Sequence, residues 1–594
     1  MTRAWLVALS LALCLPGYSA QTPDGAAIFT QMCAACHRPD SGTRAPRPAV
    51  LREMTQESIQ RALDTGNMKD QGLLLSADQL QAVVQYLGKP SSANERLSGF
   101  CSTPTPWVQD APAWNGWGAG TANSRFQSGE AAKLENRDLP RLKLKWAFGY
   151  PGSSAINAQP TLFAGRIFVG IEEGSVYSLD ARTGCINWVF KAPVTVRSAV
   201  VVDPATRLAV FGDVAGNLYA TDAQTGKLVW KERMDEHVGA KITASPQLAG
   251  DRLYVSVSSD EEGRAANPHY PCCTFRGSVV AVEVKTGKQV WKTYTIPEEP
   301  HPTSKNRAGV QNWGPSGAAV WSTPTVDLKR HVVYVATGNS YSDPPDLNSD
   351  AVMAFDMASG KRLWSRQLTP SDRWNIACLI TDTTNCPPQN GDDYDFGSPP
   401  ILCSRDGRRD LLVIGQKSGV VHALDPDRQG EIVWQTRIGH GGPLGGIEWG
   451  GTADREFAYF PLSDWHDSEP EAGGGVFALR IATGEQSWKA PPAKPACLKL
   501  PGCSAAQFTP PTAIPGVVFV GSQDGHLRAH DARDGSVLWD FDTVRDFESV
   551  DGIKAHGGSI GAPGPIIGGG LLFLDAGYGG LHGNALLAFS IDGK

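Results

Sequence analysis

Residues 33–37 of this 594-residue chain read Cys-Ala-Ala-Cys-His, which places two thiols and one imidazole within reach of a single ligand. A C-x-x-C-H motif is the attachment signature of c-type haem, in which the cysteines form thioethers and the histidine ligates the iron. A zinc site would need a second ligand pair at short range, and none follows in the sequence. We therefore predict that Cys33, Cys36 and His37 hold a covalent haem c.

The iron of small cytochromes commonly takes a methionine as its sixth ligand, from a loop that precedes the last helix. Met68 lies in such a loop, ahead of a helical pattern that Ser76 caps. Met54 is the alternative, but it opens a predicted helix and its position is more typical of a core residue. The helical patterns predict an all-α cytochrome c domain over residues 21–95, followed by a linker rich in Ser, Pro and Trp over residues 96–138.

The N-terminus has the pattern of an export signal. Arg3 precedes an apolar run over residues 4–15, and small residues follow at Ser19 and Ala20. This pattern predicts a signal peptide over residues 1–20 and a periplasmic protein. No other segment is long and apolar enough to span a membrane. The net charge of −7, without a Lys/Arg tract, argues against a nucleic-acid partner.

Seven segments share a strand-like alternation, a turn that contains glycine, and a tryptophan four residues after that glycine. The tryptophans are Trp188, Trp230, Trp291, Trp364, Trp434, Trp488 and Trp539. The C-terminus has the strand and Gly593 but no tryptophan, whereas residues 142–146 have the strand that ends in Trp146. The two termini together make an eighth unit and close a ring. We therefore predict an all-β eight-bladed propeller over residues 139–594, with the tryptophans packed between blades.

The domain order and four segments resemble one enzyme family, the pyrroloquinoline quinone (PQQ)-dependent alcohol dehydrogenases. The segments are WNGWG at 114–118, CCTFRG at 272–277, WGPSG at 313–317 and GGIEWG at 445–450. The chain is most similar to the cytochrome-fused polyvinyl-alcohol dehydrogenases, over nearly its whole mature length. The resemblance implies that secondary alcohol groups of polyvinyl alcohol are oxidised to ketones. Electrons would pass from PQQ to the haem, and then to an external cytochrome or another respiratory acceptor.

The resemblance also implies roles for residues around the quinone. The positions that match cofactor contacts are Arg197, Thr243, Ser258, Trp321, Lys417 and Glu448. Trp321 would be the flat platform under the ring, and Lys417 would stabilise negative charge on the quinone oxygens. The positions that match Ca²⁺ ligands are Glu261, Asn339 and Asp395. A hard cation bound by such oxygens would polarise the quinone carbonyl.

The catalytic base is the position where the chain departs most from the family. The family pattern runs from a tryptophan straight into the aspartate, whereas Trp374 is followed by an insertion that ends at Asp393 and Asp395. The downstream strand favours Asp395 as the base, with Asp393 as the alternative. With Asp395 as base, Gly397 stands where lanthanide-using relatives carry an extra acid, which favours calcium. With Asp393 as base, Asp395 would be that extra acid.

Export to an oxidising compartment predicts disulfides. Cys378 with Cys386 and Cys497 with Cys503 would close short loops, and Cys101 with Cys185 is a further predicted pair. The adjacent Cys272 and Cys273 would form a strained eight-membered ring if they paired. Some family members place such a ring against the cofactor, so we expect this pair at the quinone. Separate partners for the two cysteines are the alternative.

Three other functions compete with this interpretation. The same quinone chemistry could act on another primary or secondary alcohol. A non-enzymatic propeller, such as an outer-membrane assembly scaffold, shares the repeat but needs neither the haem motif nor calcium ligands. A chain whose quinone site has decayed would keep the haem and lack a working base.

Overall fold

The computed structural model describes residues 23–38, 45–52, 54–64, 66, 68–90, 97–153, 155–404, 409–465 and 469–594. The predicted signal peptide, residues 1–20, lies outside them. In the part described, no helix is long and apolar enough to cross a membrane.

The N-terminal region is a small helical domain built around the haem motif. Its helices are Gly25–Met32, Ala34–His37, Pro48–Leu51, Gln56–Asp64, Lys69–Gly72 and Ala77–Leu87. The last helix begins with a capping box, because Ser76 accepts from the Gln79 amide and Gln79 accepts from the Ser76 amide. Apolar residues from four of the helices form one core, including Phe29, Ile59 and Val84.

The rest of the chain folds into eight antiparallel sheets that follow one another in sequence. Blade 1 comprises Thr161–Phe163, Arg166–Gly170, Ser175–Asp180 and Ile186–Lys191. Blade 2 comprises Val201–Asp203, Leu208–Gly212, Asn217–Asp222 and Leu228–Arg233. Blade 3 has five strands, Ala240–Lys241, Gln247–Ala249, Arg252–Ser259, Ser278–Glu283 and Gln289–Tyr294. Blade 4 comprises Thr325–Asp327, Val332–Ala336, Ala351–Asp356 and Arg362–Gln367.

Blades 5 to 8 repeat the same order of strands. Blade 5 comprises Ile401–Cys403, Leu411–Gly415, Val420–Asp425 and Glu431–Arg437. Blade 6 comprises Thr452–Ala453, Phe457–Pro461, Val476–Arg480 and Gln486–Ala490. Blade 7 comprises Thr512–Ile514, Val517–Gly521, His526–Asp531 and Val537–Asp542. Blade 8 comprises Ile566–Gly568, Leu571–Ala576, Ala585–Ile591 and the N-terminal strand Leu142–Gly149.

Short elements connect or extend the blades. Two small hairpins pair His301–Lys305 with Gln311–Gly314, and Asp546–Phe547 with Ala555–His556. Short helices lie at Gly129–Ala132 and Glu261–Arg264, and 3₁₀ turns at Asn136–Arg141, Ile376–Cys378 and Pro426–Arg428.

The ring closes as the sequence predicts. Strand Leu142–Gly149 pairs antiparallel with Ala585–Ile591, and Trp146 lies opposite Ala588. Because the two chain ends share one sheet, the propeller has no open end between its first and last blades. The prediction of an eight-bladed all-β propeller is confirmed.

The repeated tryptophans fasten each blade to the next one. Trp188 of blade 1 donates its indole N–H to the carbonyl of Ala223 in blade 2, at 3.0 Å. The turn glycine of blade 2, Gly226, lies so close that a Cβ there would be 2.7 Å from the Trp188 ring. Gly226 also has a φ of +73°, which L side chains rarely adopt. The same contact recurs around the ring, which confirms the packing role of the tryptophans.

The predicted linker packs onto the propeller rather than standing apart from it. Arg125 is buried beneath the hub, and its guanidinium donates to the carbonyls of Pro511 and Pro565. Asn123 donates to the Pro324 carbonyl in the same way. Burial lowers the pKa of Arg125 to about 9. A composition rich in Pro and Trp is typical of a connector between domains. Here, however, the side chains of the segment donate hydrogen bonds to backbone carbonyls of several blades.

The first strands of neighbouring blades contact one another, so they surround the axis of the ring. The residue four positions before the innermost strand, which is Gln247–Ala249 in blade 3, therefore reaches the hub in seven of the blades. These residues are Asn157, Arg197, Thr243, Trp321, Gly397, Phe508 and Ala562. In blade 6, the hub residue is Trp449, three positions before its first strand. This rule explains how residues far apart in sequence meet at one centre.

Candidate functional site

The haem motif opens onto a cavity of about 340 Å³ between the helical domain and the propeller. Cys33 and His37 line this cavity, and Cys36 lies on the short helix Ala34–His37 together with His37. His37 is buried, and its Nδ1 lies 2.7 Å from the Pro46 carbonyl oxygen. This bond leaves Nε2 as the nitrogen for iron and fixes the ring. Burial lowers the pKa of His37, which keeps the imidazole neutral as a ligand must be.

Both candidate sixth ligands, Met68 and Met54, line this cavity. We expect Met68→Ala to shift the haem midpoint potential by at least about 0.1 V, because axial ligands set that potential over a range of ~0.8 V. Met54→Ala should shift it much less. Potentiometry on both variants checks this, and a large shift in the Met54 variant alone would assign the ligand to Met54.

The far wall of the haem cavity belongs to the propeller, including Glu172 and Arg197. Two contacts hold the domains together nearby: Ser58 donates to the Gly152 carbonyl at 2.7 Å, and Arg61 pairs with Glu173 at 2.9 Å. The haem domain therefore covers the hub of the propeller.

Burial raises the pKa of Glu172 to about 7, against the lowering effect of Arg61. The side chain is thus neutral below pH 7 and negative above it, and a negative charge beside the haem favours ferric over ferrous iron. We expect the haem midpoint potential to fall as the pH rises from about 6 to about 8. Glu172→Gln should abolish this slope, whereas Glu173→Gln, outside the haem cavity, should retain it. An unchanged slope in the Glu172 variant would show that another group causes the pH dependence of the haem potential.

A second cavity, of about 280 Å³, lies at the hub of the propeller. Seven of the predicted quinone and metal residues line it together: Arg197, Thr243, Ser258, Trp321, Asn339, Asp395 and Lys417. The alternative base, Asp393, lines it as well. These residues come from four consecutive blades, 2 to 5, and the packing of the blades around one axis brings them into one cavity.

The acidic side of this cavity is a hydrogen-bonded cluster. Lys417 Nζ lies 3.0 Å from Asp393 Oδ2 and 3.5 Å from Asp395 Oδ2. Asp395 Oδ1 accepts the backbone N–H of Asn339 at 2.7 Å. Burial raises the pKa of Asp393 well above its usual range, although Lys417 opposes the shift. The cluster holds one lysine between two carboxylates at the cavity wall.

Asn339 has the features of a cation ligand. Its Nδ2 donates to the Trp374 carbonyl at 3.2 Å, which fixes the amide orientation. Its Oδ1 is buried and has no hydrogen-bond partner among the described residues. A buried amide oxygen without a donor is costly unless a cation or a ligand satisfies it.

The base of the cavity is aromatic. The Trp321 and Trp449 rings meet edge to face, with centroids 5.2 Å apart. Gly397 lies against Trp321, because a Cβ there would be 2.2 Å from the indole ring. The guanidinium of Arg197 lies 4.9 Å from the Trp449 ring, and Lys417 Nζ lies 5.4 Å from the Trp321 ring. A planar aromatic cofactor fits such a platform, with cations at its edge.

Arg197 lines both the haem cavity and the hub cavity. In the hub cavity, the Thr243 and Ser258 hydroxyls lie 2.9 Å apart. One arginine therefore separates the two cofactor cavities, which places a redox group in either cavity close to the other.

Glu261 does not lie at the hub cavity, contrary to the prediction from the resemblance. Its carboxylate faces away, and accepts the backbone N–H of Thr274 at 2.8 Å, that of Phe275 at 2.7 Å and the Tyr270 hydroxyl at 2.8 Å. The next residue, Glu262, lines the cavity instead. Both lie in the short helix Glu261–Arg264, where successive side chains point in different directions. In the sequence, the only indication that Glu262 could take this place was that it directly follows Glu261.

Glu448, Cys272 and Cys273 are also absent from the lining of the hub cavity. Glu448 is buried beside its neighbour Trp449, which takes the place at the cavity wall. Cys272 and Cys273 do form a disulfide, and Cys272 faces a separate cavity. The segment that carries them is an insertion between two strands of blade 3, and the pair packs in one cluster with Ala319 and Tyr341 of the hub-cavity wall. The other predicted disulfides, Cys101–Cys185, Cys378–Cys386 and Cys497–Cys503, are present.

Several lining residues had no signal in the sequence. They are Tyr341, Ile376, Leu379, Pro443 and Leu444. They lie in loops over the hub, where no repeat fixes their position. They add apolar surface to the wall of the cavity.

The chain matches known families over both of its regions. Residues 114–439 match the β-propeller domain of glucose/ethanol/alcohol dehydrogenases. Residues 20–87 match subunit III of cbb3-type cytochrome c oxidase. Residues 417–587 also match the outer membrane protein assembly factor BamB.

Two relatives are similar over almost the full length. A polyvinylalcohol dehydrogenase of Pseudomonas sp. is 40% identical, over 96% of this chain and 94% of the relative. A polyvinylalcohol dehydrogenase of Sphingopyxis sp. is 37% identical, over 96% of this chain and 93% of the relative. The quinohemoprotein alcohol dehydrogenase structures of Pseudomonas putida and Comamonas testosteroni share the fold, with TM-scores of 0.63 and 0.62. Each is 18% identical and covers 81% of both chains.

The similarity to two dehydrogenases spans both domains, whereas the match to the assembly factor is limited to residues 417–587. A non-enzymatic scaffold therefore does not account for the chain. PQQ and haem c are the cofactors of the chain. The chain belongs to the polyvinylalcohol dehydrogenases, a cytochrome-containing branch of the PQQ-dependent alcohol dehydrogenases.

Proposed function

We propose that this protein oxidises secondary alcohol groups of polyvinyl alcohol to ketones in the periplasm, with Ca²⁺ beside the quinone. The observation that carries the proposal is the shared wall between the two cavities, at Arg197, in a chain similar along its length to two polyvinylalcohol dehydrogenases. When bound, PQQ supplies the oxidant for the alcohol, and the haem carries the electrons onward.

Asp395 is proposed as the base that removes the alcohol proton. Its Oδ1 is held by the Asn339 amide, and its Oδ2 lies at the cavity wall beside Lys417. Asp393 is bound more closely by Lys417, and we propose that it positions that lysine. A carboxylate fixed in this way accepts a proton without reorganisation, as general base catalysis requires. Lys417 then offsets negative charge that develops at the edge of the Trp321 platform.

Glu262, Asn339 and Asp395 are proposed to hold the Ca²⁺. The buried, unsatisfied Oδ1 of Asn339 supports this, because Ca²⁺ takes carboxylate and amide oxygens as ligands. In the ranges that the structure covers, no group of three His, Cys, Asp or Glu side chains is arranged to hold a metal. The site therefore depends on the amide as well as on the two carboxylates, and Glu262 replaces Glu261 in the predicted set.

The periplasmic location is supported by the signal pattern of residues 1–20 and by the four disulfides. An external cytochrome or another respiratory acceptor is the proposed destination of the electrons. We also propose the boundaries 21–95 for the cytochrome domain, 96–138 for the connecting segment and 139–594 for the propeller.

The test is reduction of the protein's own haem after loading with PQQ and Ca²⁺. Polyvinyl alcohol and a short secondary alcohol should reduce the haem, and a primary alcohol should do so more slowly. Enzyme without PQQ is the matched control, and its haem should stay oxidised. If only primary alcohols reduced the haem, the proposed substrate class would be wrong.

A further inference from the structure

A third cavity, of about 410 Å³, lies beside the hub cavity and plays no part in the chemistry above. We call it the outer cavity. Its walls are the hairpin over residues 303–312, residues Ser342 and Asp343, and the loop over residues 383–388. Cys272 of the adjacent-cysteine disulfide also faces it.

One loop separates the outer cavity from the hub cavity. This loop spans residues 376–386, and the disulfide Cys378–Cys386, whose Cα atoms are 4.9 Å apart, closes its residues 378–386. Ile376 and Leu379 line the hub cavity, whereas Thr383 lines the outer cavity. Likewise, Tyr341 faces the hub cavity, and the next residue, Ser342, faces the outer one. A long substrate that leaves the hub over this loop would enter the outer cavity.

Amide side chains hold this partition in place. The Asn375 amide donates to the carbonyls of Tyr341 and Asn385, each at 2.9 Å. The Asn385 amide donates to the Asn267 carbonyl at 2.8 Å, and its Oδ1 accepts from Asn306 at 2.8 Å. Because these bonds tie the loop to both neighbouring segments, the outer cavity is formed before any ligand binds.

The lining of the outer cavity suits hydroxyl groups. Thr303, Ser304, Thr383 and Thr384 supply hydroxyls that both donate and accept. Arg307 donates to the Thr383 hydroxyl at 2.7 Å. Asn312 Oδ1 is buried and has no hydrogen-bond partner among the described residues, so a donor from a ligand would satisfy it.

The charges near the outer cavity are of both signs. Lys305 and Arg307 are basic, whereas Asp343 is acidic and pairs with Arg373 at 2.6 Å. A mixed lining does not select an anion, but it does offer donors and acceptors to a neutral polyol. The hub cavity has room for the reacting unit, and the outer cavity adds a polar site next to it.

We propose that the outer cavity is a binding subsite for the polymer, which holds hydroxyls of the same polyol chain whose reacting carbon lies in the hub cavity. This proposal rests on the proposed function. It implies that the enzyme prefers long polyols because a second segment of the chain is bound, and that the chemistry itself is the same for short alcohols.

The test compares a polymer with a short alcohol in fully loaded enzyme. Arg307→Ala and Asn312→Leu should each raise the KM for polyvinyl alcohol about tenfold, through loss of hydrogen bonds to the chain. KM for 2-butanol and kcat for both substrates should stay within about twofold, because the hub is untouched. Arg307 is exposed, so its variant keeps the test valid if the half-buried Asn312 variant fails to fold. Lys285→Ala, at an exposed turn of blade 3, is the matched control and should change neither KM.

Chain length gives an independent readout. In the wild-type enzyme, KM per hydroxyl should fall from 2-butanol to short vinyl-alcohol oligomers to the polymer, and the Arg307→Ala profile should be nearly flat. Unchanged polymer kinetics in both variants, or an equal change for polymer and 2-butanol, would overturn the subsite. If wild-type enzyme oxidised neither substrate, the proposed function itself would have failed.

Discussion

Asp395→Asn should lower kcat roughly a thousand-fold, within the range that a positioned general base contributes. The substitution keeps the shape and the Oδ1 that accepts the Asn339 amide, but it removes the carboxylate that takes the alcohol proton. PQQ binding should persist, because Trp321, Arg197 and the hydroxyl pair remain. Turnover by haem reduction and quinone content by absorbance separate the two effects.

Asp393→Asn is the matched variant for this experiment. Because Asp393 holds Lys417 at 3.0 Å, we expect a smaller loss of kcat, without loss of the proton acceptor. The opposite ranking of the two variants would move the base to Asp393. Asp395 would then be the extra acid that the sequence places two positions further on.

Glu262→Gln should weaken Ca²⁺ binding at least about 100-fold, because a ligand carboxylate is lost from a site with few others. The readout is the Ca²⁺ concentration that restores activity to chelated enzyme. The neighbouring Glu261→Gln should leave that concentration unchanged. It should instead lower the free energy of unfolding by about 1–3 kcal/mol, because charged hydrogen bonds to the Thr274 and Phe275 amides weaken. A calcium defect in the Glu261 variant alone would restore the sequence-based assignment.

The architecture followed from the sequence because its signals repeat. Each tryptophan lies four residues after a turn glycine, and the structure uses both residues for the same inter-blade contact, as Trp188 and Gly226 show. The split blade could be predicted since each terminus carried half of one unit. The hub residues Arg197, Thr243 and Trp321 were predicted from the family resemblance, and the structure places each of them four positions before the innermost strand of its blade.

Residues outside the repeat could not be placed in this way. Whether Glu261 or Glu262 faces the hub depends on the start of a single helical turn, which neither spacing nor composition fixes. The Cys272–Cys273 pair was assigned to the quinone by resemblance, but its insertion places it behind the hub-cavity residues Ala319 and Tyr341, with Cys272 at a second cavity. The packing of Arg125 beneath the hub was also unpredictable, because its partners are carbonyls from distant blades.

Alcohol oxidation at the hub should reduce the haem of the same molecule, because Arg197 lines both cavities. The most direct measurement is the rate of haem reduction after polyvinyl alcohol is mixed with loaded enzyme, without an external acceptor, at several protein concentrations. A first-order rate that does not change with protein concentration is the predicted result. A rate that rises in proportion to protein concentration, or ketone formation while the haem stays oxidised, would show that electrons do not pass from the hub to the haem of the same molecule.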